Sequence, residues 1–452
     1  MADIAAAVRD LAASFSGRLL LPSDSGYDEA RRIQNGLIDK RPALIAQCRG
    51  TADISDAVKL ARTLGLGVSV RGGGHNVAGK AVLDGGLMID LSSMRSIVVD
   101  AAARTARVEG GATWKDVNRE TQAFGLATTG GVVGATGVAG LTLGGGFGWM
   151  MAKHGVALDN LLSVDLVLAD GSVVRASANN SPDLFWAVRG GGGNFGVAAS
   201  FEFQLHPIGP MVSGGIVAWP IASAPEVLRF YRDLTTKIGD DLFIVGALLT
   251  GPDGATKLTA IAAGYMGPAE GAEAALAPIK AFGKPVLDAM GPIPYTALNG
   301  MLDAAFPKGA MNYWKSHFLN KLDDGAIDAL IAAMQSVTSP MSQILFEHFH
   351  GAATRVPVNA TAYAMRSPGF NTLILGEWLD GSQNDANIRW VKDTYAAIKP
   401  FGGERRYANY LGDDDMTGAG LEAVYGPNLP RLRELKKTYD PGNFFRENLN
   451  IA

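Results

Sequence analysis

The stretch Gly67-Val68-Ser69-Val70-Arg71-Gly72-Gly73-Gly74-His75-Asn76 is the most informative part of the sequence, because a short apolar strand runs directly into a glycine-rich loop followed by a histidine. Glycine permits positive φ angles and a close approach of the backbone to a ligand, at an entropic cost to the fold. The chain has 57 glycines, and further groups lie at residues 85–86, 110–111, 130–148 and 190–196. A single group is more often an ordinary turn. Five groups in the first half predict a backbone wrapped around a large, extended ligand.

These glycine loops do not have the context of a Rossmann fold. Gly191, Gly193 and Gly196 match the spacing of the dinucleotide fingerprint, which needs an entering strand and a leaving helix. Here a predicted helix at 181–188 precedes the loop and a predicted strand at 197–203 follows it, so the order is reversed. The glycine segments also lack the terminal Lys-Ser/Thr of a P-loop. Backbone N–H groups in such turns can still bind an anion, and we expect a diphosphate.

Length and composition limit the classes of protein to be considered. A chain of 452 residues with 47% hydrophobic and 19% charged residues predicts a globular protein with two lobes or domains. The net charge of −4 favours neither nucleic acid nor an acidic membrane as a partner. The single cysteine, Cys48, excludes an internal disulfide framework, and we predict no metal site. Without a secretion-type leader or an apolar stretch long enough to span a bilayer, we expect a cytoplasmic enzyme.

The order of local patterns predicts an α+β fold. Residues 43–206 mix short strands and helices, and the strands near 87–90, 96–99 and 105–109 have the spacing of a meandering sheet. Prolines at 207 and 210 mark a boundary. Beyond this boundary, helical patterns at 325–337 and 384–399 alternate with strand patterns at 342–349 and 371–379. This second part therefore predicts an antiparallel sheet covered by helices.

Five segments carry a resemblance to a known family. They are residues 70–76 followed by Asp90-Leu91-Ser92, residues 128–148, His154-Gly155 followed by Asp159-Asn160-Leu161-Leu162, residues 183–190 running through 194–197, and the tail at 439–446 followed by Asn448 and Asn450. Together and in this order, they resemble the FAD-linked oxidases that include vanillyl-alcohol oxidase and berberine bridge enzyme. Within this family, the chain resembles bacterial members of the 6-hydroxy-D-nicotine oxidase type. The resemblance covers most of residues 40–207 and the C-terminus, and it is loose between them.

The resemblance implies that FAD is the cofactor and lies extended between two small subdomains of a first domain at 1–207. A substrate domain at 208–405 would roof the flavin ring with its sheet, and a segment at 406–452 would return to the cofactor. His75 is the implied covalent tether to the flavin 8α-methyl carbon. Some members add a second tether through cysteine, but that position falls near Val133 here, so we expect one bond. The implied cofactor-binding residues are Arg71, Gly72, Gly73, Gly74, His75, Asn76, Gly79, Gly130, Gly131, Gly134, Thr136, Gly137, Gly140, Gly146, Val197, Asn448 and Asn450.

The implied reaction is hydride transfer from a C–OH or C–N carbon of a small-molecule substrate to flavin N5. Oxygen would then reoxidise the flavin and yield hydrogen peroxide. Gly134, Ala135 and Thr136 place no bulky side chain where relatives control oxygen access, which favours an oxidase. Two alternatives stay open, namely a dehydrogenase of the same fold that uses another acceptor and a flavin-retaining binding protein without turnover. The substrate and the oligomeric state are left open.

Three residues are candidates for catalysis. Tyr407 and Tyr410 stand where relatives carry active-site tyrosines, although a tyrosine with a pKa of about 10 must have that pKa lowered to act as a base. On the predicted strand 342–349, His348 and His350 share one face and Glu347 lies on the other. We therefore count His348 as a candidate for catalysis or substrate contact. Packing in the core is the alternative for each of these side chains.

Overall fold

The computed structural model describes residues 2–416 and 418–452, and its first sheet holds the strand that enters the 72–76 loop. The strands of this sheet are β1 (Arg18–Leu20), β2 (Leu44–Gln47), β3 (Val68–Arg71) and β4 (Leu87–Asp90), in the order β1-β2-β4-β3. β4 runs parallel to both β2 and β3, so the predicted meander through residues 87–90 is wrong. All four β4 residues are buried. A strand covered on both faces has the continuous apolar pattern typical of parallel sheets.

The second sheet is entirely antiparallel, with the order β5-β6-β10-β8-β9. Two short strands, β7 and β11, pair with each other beside it. The core under this sheet contains Trp114 and Phe203, whose rings meet edge to face with centroids 5.9 Å apart. The bounds are β5 (Ile97–Asp100), β6 (Thr105–Glu109), β7 (Leu126–Ala127), β8 (Leu161–Val167), β9 (Val173–Ser177), β10 (Val197–Gln204) and β11 (His206–Pro207).

The third sheet is larger, also antiparallel, and confirms the predicted helix-covered sheet. Its strands are β12 (Met211–Pro220), β13 (Leu242–Thr250), β14 (Lys257–Tyr265), β15 (Leu287–Asp288), β16 (Gly291–Pro294), β17 (Met311–Leu319), β18 (Gln343–Phe349) and β19 (Gly369–Trp378). They follow the path β15-β12-β14-β13-β18-β19-β17, with β16 paired to β12. Side chains such as Ile344, Phe346 and Ile374 pack beneath helices on one face of this sheet. The opposite face packs partly against the first half of the chain through Phe243, Phe318 and Phe349, and its other side chains, such as Leu345 and Leu373, line a cavity.

Helices join and cover these sheets, and α11 and α13 lie where the apolar periodicity at 325–337 and 384–399 predicts helices. Those covering the third sheet include α8, α11 and α13, which contribute Leu228, Leu330 and Val391 to the shared core. The bounds are α1 (Ala2–Ala12), α2 (Tyr27–Ala30), α3 (Thr51–Leu64), α4 (Trp114–Gln122), α5 (Val138–Leu143), α6 (Met151–His154), α7 (Pro182–Val188), α8 (Ala224–Thr235), α9 (Ala272–Lys280), α10 (Tyr295–Asn299), α11 (Asp324–Gln335), α12 (Ala352–Arg355), α13 (Asn384–Ile398), α14 (Gly418–Tyr425) and α15 (Leu429–Tyr439).

The C-terminal segment contacts the glycine turn at 190–196. The buried Lys436 ammonium on α15 donates to the Asn194 carbonyl at 2.7 Å and pairs with Asp440 at 2.7 Å. The Asn194 amide in turn donates to the Leu449 carbonyl at 3.0 Å. Within the described part of the chain, every helix is too short or too polar to cross a bilayer. The domain limits at 207/208 and 405/406 remain a prediction.

Candidate functional site

A large cavity lies between the glycine loops of the first half and the face of the third sheet opposite its α8, α11 and α13 helices. Its wall also includes parts of the C-terminal segment, so all three predicted regions contribute to one site. The sequence-predicted cofactor residues in the wall are Gly72, Gly73, Gly74, His75, Asn76, Gly131, Thr136, Gly137, Gly140, Val197 and Asn448. The structure thus brings together residues that are up to several hundred positions apart in the chain.

Arg71 lies just outside the cavity and fixes the loop that follows it. Its Nε donates to Asp90 Oδ1 at 2.9 Å, a second guanidinium nitrogen bonds Asp90 Oδ2, and Nη1 donates to the Ala30 carbonyl at 2.6 Å. The Asp90 side chain is fully buried. Burial opposes its ionisation, but the ion pair with Arg71 outweighs burial and lowers the pKa of the Asp90 carboxyl. The predicted cofactor residue Arg71 is therefore used to hold the ends of β3 and β4 together.

Two glycine loops cross in direct backbone contact. A Cβ atom added to Gly73 would lie 2.3 Å from the Gly137 nitrogen, and one added to Gly137 would lie 2.3 Å from the Gly73 nitrogen. Real Cβ atoms do not approach backbone atoms this closely, so neither position has room for a side chain. Gly140, in the same segment, has nothing within 4 Å of its Cβ direction and faces the cavity. These loops form a cradle made mostly of backbone.

His75 reaches the cavity wall with an unpartnered ring nitrogen. Its Nε2 atom is buried and has no hydrogen-bond partner in the part of the chain that the structure describes. Burial lowers the pKa of His75 to about 4, and the carboxylate of Asp303 only partly opposes this effect. The imidazole is therefore neutral near pH 7. A neutral imidazole has a nitrogen lone pair available as a nucleophile.

Four predicted cofactor glycines lie behind the cavity wall and serve packing instead. Gly79 and Gly130 have no room for a side chain against Ile38 and Trp114 respectively. The other two use their backbone N–H groups within the protein. Gly134 donates to Asp303 Oδ1 at 2.6 Å, and Gly146 donates to the Tyr407 hydroxyl at 2.9 Å. Loop glycines are thus needed both for the cradle and for the close packing beneath it.

The third glycine turn and the tail also contribute to the cavity wall. Gly190, Gly192, Gly193 and Asn194 line the cavity, although sequence reasoning did not count them as cofactor residues. The glycine spacing of this turn matches the Rossmann fingerprint, which was rejected because of its strand and helix order. The spacing by itself could still have identified the turn as a candidate ligand contact. Asn448 also lines the cavity. Asn450 does not, and its Oδ1 accepts from the Ala452 N–H at 3.3 Å.

Tyr407 lines the cavity, but its hydroxyl is already engaged. The oxygen accepts hydrogen bonds from the Gly146 N–H and from Asn409 Nδ2, both at 2.9 Å. The ring stacks on Phe147 with centroids 4.2 Å apart. Burial raises the pKa of Tyr407, so the group does not have the lowered pKa that a tyrosine base requires. The contacts of Tyr407 hold the 144–148 loop in place.

Glu347 and Tyr410 form a polar pair in an otherwise apolar part of the wall. The Tyr410 hydroxyl donates to Glu347 Oε1 at 3.1 Å, and Asn371 Nδ2 donates to Oε2 at 2.7 Å. Glu347 is only 6% exposed. Burial raises the pKa of its carboxyl to about 7, and the two hydrogen bonds only partly offset this. Burial and the Glu347 carboxylate also raise the pKa of Tyr410 well above its usual value. Glu347 is thus the wall residue placed to exchange a proton near neutral pH.

The structure places His348 on the other face of β18, away from the cavity. Its ring stacks on His350 with centroids 4.1 Å apart and contacts Phe370 in the helix-covered core. The alternation of a strand predicted opposite faces for Glu347 and His348, but it did not say which face meets the ligand. Across residues 2–416 and 418–452, no group of three or more His, Cys, Asp or Glu side chains is arranged to hold a metal ion.

Two family models match the chain. Residues 42–177 match the FAD binding domain model, and residues 406–452 match the model described as berberine and berberine like. The first match spans the loops around His75 and Gly137. The second spans Tyr407, Tyr410 and the tail.

Similar proteins extend these matches over nearly the whole chain. The chain is 31% identical to (R)-6-hydroxynicotine oxidase of Paenarthrobacter nicotinovorans over 97% of both sequences. It is also 31% identical to an FAD-linked oxidoreductase of Dictyostelium discoideum, over 91% of this chain and 88% of the relative. The crystal structure of 6-hydroxy-D-nicotine oxidase from Arthrobacter nicotinovorans superposes with a TM-score of 0.86 at 30% identity, covering 97% of this chain and 98% of that one.

Proposed function

This chain belongs to the family of FAD-linked oxidoreductases with a berberine-like C-terminal segment, and from this membership we propose that it is an oxidase of small molecules. In this proposal, a substrate carbon bearing a hydroxyl or amino group loses a hydride to flavin N5. Oxygen then accepts the electrons and forms hydrogen peroxide. The observation that carries the proposal is the buried Glu347 carboxyl at the cavity wall, with a pKa of about 7.

The cavity fits FAD on observations of this chain. The crossing loops at Gly73 and Gly137 leave no room for side chains and present backbone instead, as binding of a diphosphate requires. The buried Nε2 of His75 finds no hydrogen-bond partner among residues 2–416 and 418–452, and a bound ligand would give it a neighbour. Residues of the 72–76, 131–140 and 190–197 loops would hold the cofactor, together with Asn448. Bound FAD supplies a two-electron acceptor to the site.

We place the single covalent tether on His75. Because burial keeps its imidazole neutral, a ring lone pair is available to bond the flavin 8α-methyl carbon. His75 would hold the flavin through this C–N bond, whose formation would release one proton from the methyl group and one from the imidazole N–H, with oxygen taking the two electrons. Val133, which lines the cavity, stands where some relatives have a second attachment through cysteine. A side chain without sulfur there leaves His75 as the one attachment point.

Glu347 handles the proton in this proposal. As a carboxylate it would accept the proton from the substrate O–H or N–H, while Tyr410 and Asn371 hold both carboxylate oxygens in position. An effective general base has a pKa near the working pH, and burial brings the pKa of Glu347 to about 7. Tyr410 then acts as a neutral donor that orients Glu347. The apolar side chains around Glu347 limit the access of water.

The choice of oxygen as acceptor rests on the small residues between Val133 and Gly137. Gly134, Ala135 and Thr136 leave this stretch of the loop without a bulky side chain. A rapid-quench comparison of oxygen uptake with peroxide formation during substrate turnover tests this choice. We expect one peroxide per oxygen consumed, with no need for an added acceptor. Turnover that requires a dye acceptor under air would show a dehydrogenase, and absence of flavin reduction by any substrate would favour a binding protein.

A further inference from the structure

One acidic side chain, that of Asp303, contacts the glycine loop at 130–137 directly. Its Oδ1 accepts a hydrogen bond from the Gly134 N–H at 2.6 Å. Its Oδ2 would lie only 2.8 Å from a Cβ atom added to Gly134, so a side chain at this position would displace the carboxylate. The bare backbone of the loop at Gly134 therefore lets the Asp303 carboxylate approach the loop closely.

Asp303 also lies close to His75. The Phe306 N–H donates to the Asp303 carbonyl at 3.2 Å, and Phe306 and His75 line the same small cavity beside the large one. Burial lowers the pKa of His75 to about 4, and the negative charge of Asp303 opposes this effect. Asp303 thus supplies a charge that favours the cationic form of the His75 imidazole.

The Asp303 carboxylate has no cation of its own to neutralise it. Among the side chains that the structure describes, no lysine, arginine or histidine forms a salt bridge with it. Its hydrogen-bond donor, the Gly134 N–H, carries no net charge. Because Asp303 is only partly exposed, bulk water screens its charge less than that of a surface carboxylate. The charge of Asp303 can therefore act on a neighbouring group.

His75 acquires a positive charge when its ring bonds carbon. A neutral imidazole has one nitrogen with a lone pair and one N–H, so the ring is cationic after the lone pair forms the C–N bond and until the N–H proton leaves. Burial opposes this positive charge for the same reason that it opposes protonation of His75. A carboxylate that is already fixed nearby stabilises such a developing charge without having to rearrange.

We propose that Asp303 assists the attachment of FAD to His75 by stabilising the positive charge of the imidazole while the C–N bond forms. This inference rests on the proposed function, in which His75 carries the tether. As the C–N bond forms, a C–H bond of the 8α-methyl group and the imidazole N–H bond break. Oxygen takes the two electrons and the two protons and becomes hydrogen peroxide. Asp303 is unchanged at the end, so atoms and charge balance.

The test measures formation of the tether separately from binding of FAD. Full-length protein made under riboflavin limitation is mixed with FAD in air, and samples are precipitated with acid over time. Acid-stable flavin in the pellet gives the rate of attachment at saturating FAD, and quenching of flavin fluorescence under anaerobic conditions gives the dissociation constant.

Asp303→Asn is the main variant, because it keeps an oxygen acceptor for the Gly134 N–H but removes the charge. We expect attachment at saturating FAD to slow by about 10-fold or more, whereas the dissociation constant should stay within about threefold of the parent value. Asp303→Ser also offers an uncharged acceptor and should be slow. Asp303→Glu should recover part of the parent rate.

Two control variants separate charge from packing. Asn299→Ala removes the hydrogen bond that Asn299 Nδ2 donates to the Gly131 carbonyl at 3.0 Å, so it loosens the same turn without a change of charge. It should weaken FAD binding more than it slows attachment. Glu377→Gln should change neither quantity, because Glu377 is buried outside the cavity wall, where burial raises its pKa to about 8. Melting temperatures report whether each variant is folded.

Three results would overturn the role of Asp303. They are a parent rate of attachment in Asp303→Asn, a slower rate that is fully explained by weaker FAD binding, and an equal slowing in Asn299→Ala. If Asp303→Asn does not fold, Asp303→Ser and Asp303→Glu decide in the same way. If the unchanged protein forms no acid-stable flavin, the tether at His75 fails together with this inference. If the tether forms at the same rate with and without the charge, only the role of Asp303 fails.

Discussion

At the scale of single residues, burial sets the protonation states that the chemistry needs. The same desolvation lowers the pKa of His75 to about 4 and raises the pKa of Glu347 to about 7. Both shifts favour the neutral form of the group, but they do so with opposite consequences. The His75 imidazole is therefore neutral at physiological pH values, whereas Glu347 can gain or lose a proton within that range.

Glu347→Gln should slow flavin reduction by about 100-fold or more, because an amide cannot accept the substrate proton. In the unchanged protein, the carboxylate form is the active one, so the reduction rate should rise with pH through a midpoint near 7. Anaerobic stopped-flow measurement of flavin bleaching checks both points. Glu377→Gln should retain the rate and its pH profile. A Glu347→Gln rate within a few-fold of the parent would remove Glu347 from proton handling.

Replacement of Tyr410 should change the pH profile of flavin reduction, whereas replacement of Tyr407 should lower the stability of the fold. Tyr410→Phe removes a hydrogen bond that lowers the pKa of Glu347, so the midpoint of flavin reduction should move to higher pH. Tyr407→Phe instead leaves the buried Gly146 N–H without its acceptor, which should cost about 1–3 kcal/mol of unfolding free energy. Urea unfolding and the pH profile of each variant test this assignment. A shifted midpoint in Tyr407→Phe with an unchanged one in Tyr410→Phe would reverse the two roles.

At the scale of elements, the site depends on two loops that contact through bare backbone. Gly137→Ala would place a Cβ 2.3 Å from the Gly73 nitrogen, and the loops would have to separate. Overpacking of this kind costs about 1–3 kcal/mol. We expect a lower melting temperature and a lower FAD-to-protein ratio after purification. Gly239→Ala, with nothing within 4 Å of its added Cβ, should change neither. Full FAD content in Gly137→Ala would show that the crossing is dispensable.

Sequence patterns predicted the positions of strands and helices better than they predicted which strands pair with each other. Periodicity located β18 and α13 to within two residues, because an alternating strand and an amphipathic helix are local features. It missed the parallel pairing of β4, since strand partners are set by distant residues. The alternation of the strand also placed Glu347 and His348 on opposite faces, but it did not show which of the two faces lines the cavity. Leu345 and Phe346 are both apolar because one face of the sheet meets helices and the other the cavity, so polarity alone could not identify the cavity face.

At the scale of the whole molecule, the histidines should make stability fall in mild acid. All six have a folded-state pKa below the ordinary value of 6.5, mainly through burial, so the unfolded chain binds more protons as pH falls below that value. Glu347 and Glu377 have raised pKa values and act in the opposite direction, but they are only two groups. The free energy of unfolding should therefore fall between about pH 6.5 and 4.5.

Melting temperatures measured across this pH range test whether the six histidines outweigh Glu347 and Glu377. His348→Phe removes a group whose pKa is lowered to about 3, so it should make the fall with pH shallower. The same substitution should leave flavin reduction largely unchanged, because His348 faces the helix-covered core. A melting temperature that stays flat or rises on acidification would contradict the histidine account.

The most direct test of the central claim, that this chain holds FAD through His75 at the convergence of its glycine loops, is acid precipitation followed by peptide mass mapping. We expect a yellow pellet in which the peptide containing His75 carries the mass of FAD, and His75→Ala should release its flavin into the supernatant and lose activity. A colourless pellet from the unchanged protein, or acid-stable flavin that persists in His75→Ala, would contradict the tether.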